Sequence, residues 1–182
     1  MSPDRGEEGR VYADPVARKR GGKTTAATPA TVALRRAGVG FSVHAYEHDP
    51  AAESYGDEAA AALGVAAERV FKTLLADTGN GLVVAVVPVS SRVDLKALAS
   101  AAGVKKATMA DPVAAERATG YVVGGISPVG QRSSLPTVLD TSAGDFDTIL
   151  VSGGRRGVDV ELRPGDLARV TGATWARVSR PR

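Results

Sequence analysis

The chain has 182 residues, 43% hydrophobic, 24% charged and 4% aromatic, enough for one domain with a real core and too few for two comfortable ones. It holds no cysteine, which excludes disulfides, thiolate metal sites and a protein thiol nucleophile. Of the formal net charge of +3, residues 1–27 carry most, with six Lys/Arg against four Asp/Glu; the remainder is nearly neutral, so bulk charge is no argument for nucleic-acid binding.

Residues 1–27 read as a disordered basic tail, with Arg18-Lys19-Arg20 and no periodic apolar positions. Gly22-Lys23-Thr24 ends like a phosphate-binding P-loop, but Ala17 stands where that motif needs its first glycine and no strand precedes it. Residues 28–182 are expected to form a single domain. No apolar run reaches the ~20 residues of a membrane span, and the start lacks a secretory apolar core, so a cytoplasmic protein with no membrane partner is expected.

Thr28 as N-cap, Pro29 at the first helical position and Gly38 past the end frame a short helix. Residues 41–46 alternate as a strand, Glu47-His48-Asp49-Pro50 is a turn, and 56–63 is an Ala-rich helix that Gly64 stops. Two strands, 70–76 and 82–89, flank the hairpin turn Gly79-Asn80-Gly81. The second is almost continuously apolar and so buried on both faces. Lys72 interrupts the first, on the face of Val70 and Leu74; such a lysine either reaches water at an edge or works in a pocket.

Asp94 caps a helix to Ala102, and Asp111-Pro112 starts another that ends at Gly120. Residues 120–123 then read as a short apolar strand that breaks into the loop Gly124-Gly125-Ile126-Ser127-Pro128-Val129-Gly130. By pattern this loop is a tight connection between strands or a backbone cradle that another molecule can approach closely. Strands at 137–140, 148–152 and 158–162, a helix at 164–170 and a strand at 174–178 complete the chain, the middle pair joined by Gly153-Gly154-Arg155-Arg156-Gly157. The expected fold is mixed α+β: a barrel-like curved mixed sheet of about seven strands flanked by short helices.

His44 and His48, the two histidines, fall on strand and turn without a third ligand, so no metal site is expected. No G-x-S-x-G elbow and no Ser/His/Asp set can be assembled. Lys105-Lys106 and Arg155-Arg156 are solvated faces or phosphate contacts. An enzyme of this composition relies on backbone donors and on groups its substrate brings.

Several strings stand in a telling order: Thr28-Pro29-Ala30, His44-Ala45-Tyr46-Glu47-His48-Asp49, Gly56-Asp57-Glu58-Ala59, Phe71-Lys72-Thr73-Leu74-Leu75, Met109-Ala110-Asp111, Thr119-Gly120-Tyr121, the glycine loop through Gln131, and Val151-Ser152-Gly153-Gly154-Arg155-Arg156-Gly157. In this the chain closely resembles the YbaK/EbsC-type Cys-tRNA(Pro) deacylases, relatives of the editing domain inserted in bacterial prolyl-tRNA synthetases. The resemblance covers about residues 28–180. It implies a trans-editing hydrolase that deacylates mischarged Cys-tRNA(Pro), with aminoacylated tRNA(Pro) as substrate, prolyl-tRNA synthetase as partner, and no metal or organic cofactor. It places the catalytic groups at Lys72, Gly124 and Gly125, and substrate-binding positions at Tyr46, Tyr55, Thr73, Ile126, Ser127, Pro128, Gly130, Ser152 and Asp159. Tyr55 stands where phenylalanine is common, keeping an aromatic wall and adding a hydroxyl. The implied chemistry is attack by the substrate's own thiol on its ester carbonyl, a lyase-like cyclisation of the cysteinyl group, with loop N–H groups stabilising the oxyanion. The alternatives are an Ala-tRNA(Pro) deacylase that uses a bound water, and a non-catalytic domain that binds tRNA or a synthetase.

Overall fold

The computed structural model describes residues 27–182; the basic tail expected at 1–27 lies outside the described residues but for Ala27. Pro29–Arg36 forms helix α1. The Thr28 hydroxyl accepts the Thr31 N–H at 3.2 Å, and the Thr31 hydroxyl accepts the Thr28 N–H at 3.0 Å, a reciprocal cap built from two threonines. There follow β1 (Phe41–Ala45), α2 (Tyr55–Leu63), β2 (Val70–Asp77), β3 (Leu82–Pro88), β4 (Ser91–Val93), α3 (Leu95–Ala101), β5 (Thr108–Met109) and α4 (Pro112–Thr119). After a long loop come β6 (Thr137–Asp140), β7 (Ile149–Arg155), β8 (Val158–Leu162), α5 (Pro164–Thr171), β9 (Thr174–Ala176) and β10 (Ser179–Pro181).

The main sheet has eight strands in the order β1-β8-β7-β2-β3-β6-β9, with β5 on the flank of β2; β10 and β4 form a separate pair. It is mixed as expected: β2–β7, β3–β6 and β6–β9 run parallel, the others antiparallel. Its ladder is an open path from β1 to β9. The strand count exceeds the expected seven because β4, β5 and β10 are only two or three residues long, too short to show a period. Residues 120–123 are a correction. Gly120 ends α4 in the left-handed region at φ 77°, and the segment meets the core as loop. Its apolar residues are there for packing: the Tyr121 ring is buried in the main cluster, and its hydroxyl donates to the Val129 carbonyl at 2.7 Å.

β3 shows why the sheet holds. Val84 and Val86 join Leu34, Phe71, Leu139, Ile149, Val151, Val160 and Leu167 on one face, under α1 and α5. Val83, Ala85 and Val87 join Leu98 and Val138 on the other, under α3. Strand periodicity divides the run between two cores, so both faces are dry. Among the described residues no helix is long and apolar enough to cross a membrane.

One break in this sheet positions the site. On its flank away from β3, β2 pairs with β7 only at Val70 and Phe71, and with β5 only at Ala76 and Asp77. Residues 72–74 therefore have a strand on one side only. The Val70 carbonyl faces β3, accepting from the Val89 N–H at 2.8 Å, whereas the Leu75 carbonyl faces the other way and accepts from Ala110 at 3.0 Å. Thr73 shares the parity of Leu75, so its N–H and C=O point into the gap.

Candidate active site

A cavity of about 370 Å³ occupies this gap. Its floor is Phe71 to Leu75; its walls come from Tyr46, from Ser54-Tyr55-Gly56 at the start of α2, from Met109-Ala110 and Ala115, from the loop residues Val123, Gly124 and Ile126, and from Ser152 and Asp159. That volume suits a small molecule or the end of a larger one. Tyr46, Tyr55, Lys72, Thr73, Gly124, Ile126, Ser152 and Asp159 are thus brought together, although they span more than half the chain. Ser152 and Asp159 face each other across the β7–β8 ladder.

The other residues singled out by sequence lie behind the wall. Gly125 is buried, and its N–H closes a turn by donating to the Val122 carbonyl at 2.9 Å, so it is not a free donor. A Cβ at Gly125 would stand 2.8 Å from Arg155 Cα, which is why a glycine sits there. Ser127 is fully buried, with its hydroxyl accepting from Val129 and its carbonyl from Gln131 Nε2. Pro128 is buried too, and Gly130 presses on the Pro29–Ala30 backbone. These four shape the loop without reaching the cavity. The loop N–H groups of Gly124 and Ile126, by contrast, donate to no acceptor among the described residues.

Lys72 is half-buried and donates to the Ser91 carbonyl at 2.6 Å. Burial holds its ammonium below the usual lysine range, and the nearby Arg182 and Arg92 act in the same direction, opposed by Asp57. Arg182 is anchored in turn, donating to the Asp57 carboxylate at 2.8 Å and to the Val89 carbonyl. Thr73 Oγ1 is buried without a hydrogen-bond partner among the described residues, a state that ordinarily costs about 1–3 kcal/mol. Both histidines are taken by carboxylates, His44 by Glu161 at 2.8 Å and His48 by Glu58 at 2.9 Å, and neither lines the cavity. No group of three potential metal ligands exists among the described residues.

Burial pushes the Asp159 carboxyl up to about 7, and burial followed by the charge of Asp159 pushes the Tyr46 hydroxyl up to about 12. An unfolded aspartate ionises near pH ~4. Between ~4 and 7 the folded protein keeps a proton that the unfolded chain has released, so this group's contribution falls as pH rises, by at most about 4 kcal/mol. Asp159→Asn removes that fall. Urea midpoints are expected to favour the variant increasingly from pH 5 to pH 8; a constant difference between variant and wild type would locate the buried proton elsewhere.

Sequence reasoning missed Met109, Ala110 and Ala115, which are cavity wall only because β5 and α4 turn back on β2. It also left Arg156 undecided. The Arg156 guanidinium donates twice to the Val123 carbonyl, from Nε at 3.0 Å and Nη2 at 2.7 Å, and lies 5.0 Å from the centre of the Tyr55 ring.

Residues 49–170 match the model of the aminoacyl-tRNA editing domain. A protein of Enterococcus faecalis provisionally named Cys-tRNA(Pro)/Cys-tRNA(Cys) deacylase EbsC is 40% identical over 125 residues, 68% of this chain and 76% of that one. The multifunctional Ser/Thr-tRNA deacylase ProXp-y of Escherichia coli is 28% identical over 138 residues, 75% of this chain and 83% of its own. A crystal structure provisionally described as a trans-editing enzyme for prolyl tRNA synthetase superposes with a TM-score of 0.76 at 26% identity, covering 87% of this chain and 99% of that one.

Proposed function

This chain belongs to the family of aminoacyl-tRNA editing domains, and we propose on that basis that it deacylates mischarged tRNA, with Cys-tRNA(Pro) as its substrate and residues 28–182 as the editing domain. The observation that carries the reading is the make-up of the cavity: backbone donors, one half-buried lysine, an orphaned hydroxyl and the buried Asp159 carboxyl, with no histidine on its wall. Such a site can bind, orient and stabilise charge, and a substrate that brings its own nucleophile needs no more from it.

The substrate thiol attacks its own ester carbonyl. A carbon–sulfur bond forms, the ester carbon–oxygen bond breaks, and the thiol proton ends on the ribose hydroxyl that leaves with the tRNA. The amino acid departs as a cyclic thioester, which water opens in solution. The cavity's part is to fold the aminoacyl group so that sulfur and carbonyl carbon meet. The Gly124 and Ile126 N–H groups receive the developing oxyanion. Lys72, with one N–H on Ser91, has donors left for the terminal ribose or its phosphate. Thr73 Oγ1 and the buried Asp159 bind polar groups of the aminoacyl moiety, and Tyr46, Tyr55 and Ser152 close the wall.

This mechanism supplies selectivity that size alone does not, since one methylene in a pocket discriminates by only ~1–3 kcal/mol. Choice of tRNA(Pro) falls to prolyl-tRNA synthetase acting on the same tRNA, because the body of the chain is nearly neutral. The test offers Cys-, S-methyl-Cys-, Ala- and Ser-tRNA(Pro) to the full chain. S-methylation is expected to slow release at least ~100-fold. Equal hydrolysis of the methylated substrate would sink thiol attack and favour a bound water; release of Ser in preference to Cys would move the substrate class to hydroxyl side chains.

A further inference from the structure

We infer that Arg156 is a positioning residue for the reaction: it fixes which way the Val123–Gly124 peptide faces and so aims the Gly124 N–H into the cavity. The inference rests on the assignment of that N–H as an oxyanion donor.

The turn Val122-Val123-Gly124-Gly125 is closed by the Gly125 N–H on the Val122 carbonyl, with Gly124 at φ +87°. A positive φ at the third residue marks a type II turn, whose central peptide is rotated by roughly half a revolution from that of a type I turn. The same four residues can thus close the same hydrogen bond with the Val123–Gly124 peptide facing either way. In a planar trans peptide the C=O and the following N–H point in opposite directions. Whatever grips the Val123 carbonyl on one side therefore sends the Gly124 N–H to the other.

Arg156 is that grip. Two of its N–H groups converge on the Val123 carbonyl at 3.0 and 2.7 Å. Its guanidinium is held in turn against the face of Tyr55. The preceding peptide is pinned separately, by the Val123 N–H donating to Glu116 Oε1 at 2.8 Å. Arg156 reaches the turn from the β7–β8 hairpin, outside the cavity, while Gly124 lines the cavity. A planar fork suits two donors to one carbonyl; a lysine ammonium keeps the charge and loses the fork.

The test compares Arg156→Lys and Arg156→Ala with wild type in multiple-turnover deacylation of Cys-tRNA(Pro), and reads the Gly124 amide resonance in the substrate-free proteins. Both variants are expected to lose about 100-fold in kcat with KM within about threefold, and to shift the Gly124 amide. The Arg156 side chain is exposed, so thermal unfolding should move little. A phosphate contact would behave otherwise: a raised KM in Arg156→Ala that Arg156→Lys restores would overturn the inference, as would an unmoved Gly124 amide in both variants. Should wild type release no amino acid from any mischarged tRNA, the functional reading falls by itself, and the amide measurement still decides whether Arg156 sets the peptide.

Discussion

A Gly124→Ala protein is expected to fold, to melt about 4 °C below wild type and to deacylate at one hundredth of the wild-type rate or less. The stability cost is modest because two distinct penalties are each small. A non-glycine residue at φ +87° pays about 1–2 kcal/mol. The new Cβ would meet Tyr55 Cζ at 2.8 Å and Arg156 Nε at 2.9 Å, side chains that can give way. The activity cost is large for the same reasons. Alanine favours a turn with negative φ, which rotates the central peptide and withdraws the N–H from the cavity. Displacement of Tyr55 and Arg156 disturbs the wall and the carbonyl grip together. Single-turnover rates beside a thermal melt decide the matter; a folded variant with the wild-type rate would remove the loop backbone from the chemistry.

Lys72→Met is expected to pair a similar loss of activity, at least about 100-fold, with stability at neutral pH that stays level or rises. The sign follows from the depressed pKa. A lysine that protonates less readily in the folded state than in the unfolded chain destabilises the fold wherever it carries charge, so methionine relieves that cost while keeping the stem. Residues that cost stability where they stand are commonly held for function. A melt several degrees below wild type with activity retained would instead make the bond from Lys72 to the Ser91 carbonyl its main role.

Much of this was legible beforehand. The helix starts at Thr28, Asp94 and Asp111 carry side-chain caps where the residue types place them, and the Gly79-Asn80-Gly81 turn joins β2 to β3. Such features are local, and local chemistry settles them. The eight predicted residues that meet in the cavity were found through ordered motifs, since neither charge nor spacing singles out Thr73 or Ser152. What stayed hidden depends on chain reversal. β5 is too short to announce itself, so Met109 gave no sign of being wall. Gly125 looked equivalent to Gly124, and only the turn hydrogen bond separates a free donor from a used one. Arg155 and Arg156 looked alike for the same reason: a hairpin sends one guanidinium to the loop, and no pattern in a charged pair records which.

The gap on the flank of β2 also has a consequence during synthesis. Its parallel partner brings Val70 beside Leu150, and β1 waits for β8 to bring Phe41 beside Leu162. Contacts so far apart in the chain form late. While the ribosome is still making residues before β7, the nascent chain can hold the hairpin of β2 and β3, but it has no Ser152, Asp159 or Arg156. The cavity wall is therefore complete only once β7 and β8 have been made, because Ser152 and Asp159 come from those two strands.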